Sequence, residues 1–171
     1  AAGALLIHLL KRLANGPNVE MNASRVANAI ALMKGYNIMP GLNDGPLLDF
    51  MYGPMFVVAY TPAALATSPS GAIWIGILQS FLFILAPFVY LAFTSSEQRS
   101  RLIAAVAVVC FGLFCTFDRG LSWVTWYIMA DGPALAFAGF ACALVLRRRT
   151  NLTTPQMVVA ALFAVLAVWS K

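Results

Sequence analysis

Glu20–Pro54 reads EMNASRVANAIALMKGYNIMPGLNDGPLLDFMYGP, the longest polar interval in a chain that is otherwise apolar. Three of the six acidic residues, Glu20, Asp44 and Asp49, fall inside it. Val26, Ala27, Ile30, Ala31, Leu32 and Met33 recur at roughly helical spacing, with Arg25, Asn28 and Lys34 toward the other side. The pattern predicts a short amphipathic helix, capped by Asn22 or Ser24, that runs to Lys34 and closes at Gly35. Such a helix either lies along a membrane surface or packs on the protein's own core. From Tyr36 to Pro54 the density of Pro and Gly predicts irregular loop, because proline fixes φ and removes a donor. Irregular backbone cannot face lipid, so this stretch belongs in water or folded over a cavity.

The flanks are of another kind. Of the 171 residues, 61% are hydrophobic and 10% charged, with a mean hydropathy of +0.83. Soluble domains run at about 45–50% apolar and about 25% charged. So much apolar surface cannot be hidden inside one small globule, and lipid must serve as solvent for part of it. The expected class is an all-α integral membrane protein, a multi-spanning helical bundle with a large non-cytoplasmic first loop carrying the surface helix. Residues 1–10 read as the end of a first span, 11–54 as the outer loop and 55–171 as membrane segments. Lys11-Arg12 closes the first segment by snorkelling, and His8 beside it reads as a packed or interfacial residue. Ala72–Phe93 is a full span with Pro87 as a kink candidate. Leu102–Phe117 follows, then Ala134–Leu146, which ends in Arg147–Arg149, and Thr153-Thr154-Pro155 opens a last segment. Both terminal runs fall short of the ~20 residues a crossing needs, so the expectation is a piece of a longer transmembrane chain, cut at both ends.

Basic residues orient such a chain. Arg147–Arg149 and the Glu97–Arg101 loop point to the cytoplasm, which places Asp118 to Asp131 outside. The first loop joins them outside only if Met51–Thr94 crosses an odd number of times. Met55–Ala66 is twelve residues with Pro62 inside, about 18 Å against a core of roughly 30 Å. It is therefore expected to dip or lie shallow, leaving Ala72–Phe93 as the one crossing, although Lys11-Arg12 argues the other way.

Several function classes are disfavoured. The net charge of +5 is scattered apart from Arg147–Arg149, and no basic face with reading groups suits nucleic acid. Cys110, Cys115 and Cys142 lie in apolar runs without CxxC or Cys/His spacing, which suggests packed thiols and no metal site.

On this orientation five acids, Glu20, Asp44, Asp49, Asp118 and Asp131, gather on one side. Asp131 sits where an apolar run begins, and carboxylates close to hydrocarbon tend to be paired, solvated in a cavity or functional. A carboxylate so placed can take a proton from an acceptor hydroxyl as that hydroxyl attacks a sugar's anomeric carbon. Arg25 and Arg119 are candidates to hold a phosphate leaving group by bidentate contacts. Plainer roles stand beside these. Asp131-Gly132-Pro133 is a helix start with Asp as N-cap, Asp118-Arg119 an interfacial ion pair, and Asp44 a turn former. Trp123, Trp126 and Tyr127 are either a surface for a sugar or prenyl chain or an interface belt.

The order of motifs resembles the GT-C membrane glycosyltransferases of the protein-mannosyltransferase and aminoarabinose-transferase type. The resemblance rests on an acid followed by a surface helix, then Gly35-Tyr36, then Tyr52-Gly53-Pro54 opening an apolar segment. Ala130-Asp131-Gly132-Pro133-Ala134-Leu135 is similar to that family's Asp-x-Pro-Ala-Leu element, and Trp169-Ser170-Lys171 to the start of its Thr/Ser-Lys-Gln segment. The resemblance implies an inverting transferase that takes sugar from a polyprenyl-phosphate carrier at the non-cytoplasmic face of a bacterial inner membrane. It implies a hydroxyl, lipid, glycan or protein acceptor. By position Glu20 is the general base, standing alone where many members carry Asp-Glu, with Asp49 as reserve. Asp131 then orients the acceptor or stabilises charge, Arg25 or Arg119 binds lipid phosphate, and Tyr52 and Trp126 contact substrate. Some members use a divalent metal; no pattern here fixes a site for one.

Two other readings fit a polytopic chain. A transporter or lipid flippase would put charges near the midplane on broken helices, often in repeated halves, and neither feature is visible. A non-catalytic subunit of a membrane complex would tolerate loss of Glu20, Asp49 or Asp131. Asn22-Ala-Ser and Asn151-Leu-Thr fit the glycosylation sequon, a short pattern common by chance.

Overall fold

The computed structural model describes residues 7, 10–11, 14–17, 19–38, 52–95, 97–117, 126–147 and 152–171. Asp44, Asp49, Asp118, Arg119 and Trp123 lie outside the described residues, as do His8 and Asn151. Every regular element among the described residues is a helix.

The first helix, α1, spans Val19–Met33. It ends as its sequence predicts. Gly35 takes φ 78°, its N–H donates to the Leu32 carbonyl, and the Tyr36 N–H donates to the Ala31 carbonyl. This is a Schellman closure, and the left-handed φ is what selects glycine. The inner face of α1 presents Asn22, Val26 and Ala29, all buried. Val26 and Ala29 join Phe56, Val57, Tyr60, Ala63, Ala72 and Ile128 in one apolar core. One face of this helix thus packs on the protein itself.

Pro54–Ala59 forms α2, started by Pro54 and followed by a 3₁₀ turn at Thr61–Leu65 that Pro62 begins. At ~1.5 Å per residue, α2 is only about 9 Å long. At its end the Ala59 carbonyl accepts from the side-chain amide of Gln79, on the next helix, at 3.0 Å. The stretch is thus divided between a six-residue helix and a 3₁₀ turn, neither long enough to cross a bilayer. Ser68 then caps α3, Pro69–Thr94, by accepting from the Gly71 N–H at 3.2 Å. Among the described residues α3 is the one helix long and apolar enough to cross a membrane.

Gln98–Phe117 forms α4, Asp131–Arg147 α5 and Thr154–Trp169 α6. The last opens with a capping box between Thr153 and Gln156. Ser80 stands beside Tyr127, Phe83 beside Gly132 and Pro87 beside Gly139, so α3 and α5 run parallel. Phe140 and Phe137 stack on Phe163 while Asp131 pairs with Lys171, so α6 returns antiparallel to α5. The α3–α5 contact is close because Gly139 has no side chain. A Cβ there would stand 2.7 Å from Pro87 Cγ, well inside contact distance.

The outer surface is apolar. Leu78, Leu82 and Phe93 of α3, Ile103, Val106 and Val109 of α4, Leu135 and Val145 of α5, and Val158, Leu162 and Val165 of α6 are all exposed. Buried positions between helices are mostly small, among them Ala104, Ala136, Ala143 and Ala160. Cys110 and Cys142 are exposed on this surface, which corrects the expectation of packed thiols.

Candidate functional site at one end of the bundle

The start of α3, the start of α5 and the end of α6 share one end of the bundle, and α1 and α2 are docked there. Residues 126–130 run through the middle of that end without regular structure. Carbonyls in such a segment have no helical partners and need others if they are buried. Four successive carbonyls find them in side chains from three elements. The Asn22 amide donates to the Trp126 carbonyl at 3.3 Å. Ser80 Oγ lies 3.2 Å from the Tyr127 carbonyl. Arg25 Nη1 donates to the Ile128 carbonyl at 2.9 Å and also reaches Met129 Sδ. The Tyr60 hydroxyl lies 3.2 Å from the Met129 carbonyl. Asn22 completes its pairing by accepting from the Ile128 N–H at 2.8 Å. Its amide thus stands in for a neighbouring strand, with both functional groups used and no exposed surface.

This cradle ends at Asp131. The Ala134 N–H donates to the Ala130 carbonyl, so Ala130 holds the cap position and Asp131 is the first residue inside α5. The cap therefore falls one residue before its expected place at Asp131. A carboxylate in the first turn still suits the positive end of the helix. Lys171, just past α6, forms an ion pair with it, at 57% and 30% exposure of the two side chains.

Tyr52-Gly53-Pro54 meets the same place from a third direction. A Cβ on Gly53 would fall 2.6 Å from the Trp169 carbonyl carbon and nearer still to its oxygen. No side chain fits between these two backbones. Tyr52 is half-buried, packs on Phe56 with ring centroids 5.4 Å apart, and lies under the Arg25 guanidinium at 5.8 Å. The aromatic ladder continues through Phe56 and Tyr60 to Phe83 of α3.

Tyr60 is the polar centre of this region. Its hydroxyl is 2.8 Å from Ser80 Oγ, and a Cβ on Gly132 would stand 3.1 Å from it. Burial pushes its ionisation well above the ordinary tyrosine range. The Ser80 and Met129 hydrogen bonds and the charge on Arg25 oppose that shift, and Asp131 adds to it. Neither Tyr60 nor Ser80 stood out in the sequence.

The candidates fare differently. Arg25, Tyr52 and Asp131 come together at this end of the bundle. Glu20 belongs to α1, two residues before Asn22, whose side chain bonds to residues 126 and 128; the side chain of Glu20 is outside the described set. Trp126 is 6% exposed and packs with Ile73 and Ile77, edge-on to Phe81. That corrects its reading as a sugar platform: its ring serves the core. Among the described residues no three His, Cys, Asp or Glu side chains are grouped as a metal cage would require. No family model, curated protein or solved structure matches the chain.

Proposed function

We infer that this chain is a multi-pass membrane glycosyltransferase of the GT-C kind, moving sugar from a polyprenyl-phosphate carrier to a hydroxyl on the non-cytoplasmic side. One observation carries the reading. Tyr52-Gly53-Pro54, Asp131-Gly132-Pro133 and Trp169-Ser170-Lys171, three of the elements on which the resemblance rests, meet at one end of the bundle, beside the helix that bears Glu20. Sequence order alone does not require this convergence.

The exposed apolar surfaces of α3, α4, α5 and α6 support the multi-pass part. Left in water, each large aliphatic side chain there would forgo about 1.5–3 kcal/mol, and lipid removes that cost. α3, α4 and α5 then cross in alternation, with the Arg-bearing ends at the cytoplasmic face.

In the reaction a carboxylate on α1, Glu20, removes the proton of the acceptor hydroxyl. The acceptor oxygen forms its bond to the anomeric carbon as the bond to the carrier phosphate breaks. The phosphate leaves with the electron pair, and the anomeric configuration inverts. Arg25 has one guanidinium nitrogen committed to the 128–129 cradle, and its remaining donors are suited to phosphate oxygens. Asp131, held by the cradle and by Lys171, orients the acceptor. The test is transfer of labelled sugar from polyprenyl-phosphate donors by the protein reconstituted in lipid, with Glu20→Gln and Asp131→Asn beside it. Turnover should fall by on the order of a hundredfold or more in both; undiminished turnover in both removes the assignment.

A further inference from the structure

We propose that Asn22 is a positioning residue for this reaction: it fixes the distance between the helix that carries Glu20 and the segment that delivers Asp131. The proposal rests on the transferase reading. Asn22 is fully buried, it sits on α1, and its side chain is hydrogen-bonded at both ends to backbone 104 and 106 residues away. Glu20 stands two positions before it and Asp131 three positions after Ile128.

A hydrophobic side chain would bury α1 equally well. Val26 and Ala29 do so one and two turns along the same face. What an aliphatic residue cannot do is set register, since apolar contact is non-directional. A side-chain amide accepting from one N–H and donating to a carbonyl two residues away accepts only one register against residues 126–128. Arg25, one turn further on, adds a second directional contact to Ile128. These two hold the carboxylate-bearing elements at fixed separation, and transfer is sensitive to such placement: an error of about 1 Å can cost on the order of a hundredfold in rate.

Asn22 itself touches no substrate, so its loss should act on turnover and spare binding. The experiment uses the protein in lipid nanodiscs and two variants, Asn22→Ala and the near-isosteric Asn22→Asp. Asp keeps the bond from the Ile128 N–H and loses the donor to the Trp126 carbonyl. Amide hydrogen exchange is read over 126–130 and, as a folding control, over α5 and α6. Exchange at 126–130 should quicken by about tenfold in Asn22→Ala with α5 and α6 unchanged. In the same samples kcat should fall by roughly tenfold to a hundredfold with KM for the donor held within about twofold, and Asn22→Asp should lie between Ala and the parent. Unchanged exchange at 126–130 overturns the clamp. Quickened exchange with undiminished kcat, in a preparation whose parent protein transfers sugar, overturns the positioning role alone. A parent protein that transfers sugar from no polyprenyl-phosphate donor overturns the transferase reading and the positioning role with it.

Discussion

Gly53→Ala sets two known effects against each other. Gly53 has φ −67° and ψ 158°, a conformation any residue adopts. Replacing glycine by alanine at such a place normally stabilises by about 0.4–1 kcal/mol, because the unfolded chain loses freedom. Here the new Cβ would stand 2.6 Å from the Trp169 carbonyl carbon and 3.3 Å from its Cα, with the carbonyl oxygen closer than either. All three atoms are backbone, so no side chain can rotate away. The start of α2 and the end of α6 must separate, at a cost near the upper end of the usual ~1–3 kcal/mol for overpacking. The balance is a net loss of about 2 kcal/mol. At roughly 2–4 °C per kcal/mol for a chain of this size, Tm should fall by about 4–8 °C. Because Trp169 and Lys171 move together, the Asp131–Lys171 pair should also loosen, and under the proposed function sugar transfer should drop with stability. Thermal unfolding of the purified protein in detergent reads the first effect, and transfer in lipid the second. A Tm equal to or above that of the parent protein would refute the backbone contact and the convergence built on it.

Four further outcomes are expected. Tyr60→Phe removes a buried hydroxyl between Ser80 Oγ and the Met129 carbonyl, and should cost about 1–3 kcal/mol by denaturant unfolding. Because burial raises the Tyr60 ionisation in the folded state, its contribution to stability is complete below the unfolded value near pH 10. It is lost as pH climbs above that, so a pH series of Tm should decline more steeply for the parent than for Tyr60→Phe. Lys171→Ala breaks an ion pair that is partly exposed, so its stability change should stay below about 1 kcal/mol by the same unfolding assay. With Cys115 replaced by Ser, Cys110 and Cys142 should, under the proposed multi-pass arrangement, resist maleimide in intact membranes and react once detergent dissolves them; ready labelling in the membrane would count against that arrangement.

Much of the helical layout was legible because its signals are local. Gly35 marks the end of α1, Thr153 with Pro155 the start of α6, and Pro62 the break of 55–66 into a short helix and a 3₁₀ turn. Each of these depends on residues within one turn of chain. Asp131 was legible for the same reason, as an acid beside Gly-Pro at the start of an apolar run. What escaped notice depends on distant partners. Asn22 matched a sequon and a cap, while its use is to pair with backbone more than a hundred residues on. Trp126 resembled an interface aromatic, and only the packing of α3 puts Ile73 and Ile77 around it. Ser80 lies in the middle of an apolar run; besides the Gly76 carbonyl of its own helix, its partners are Tyr60, just past α2, and the 126–130 segment.

The burial of Asn22 has a bearing on any host that attaches glycans to Asn-x-Ser sites. Enzymatic attachment there needs an accessible amide nitrogen, and in the folded chain that atom is already bound to the Trp126 carbonyl. A sugar chain could be added only before α1 docks, and once added would prevent docking. Occupancy at this asparagine would therefore count the molecules that failed to mature, and expression in such a host would favour a variant whose Ser24 is alanine.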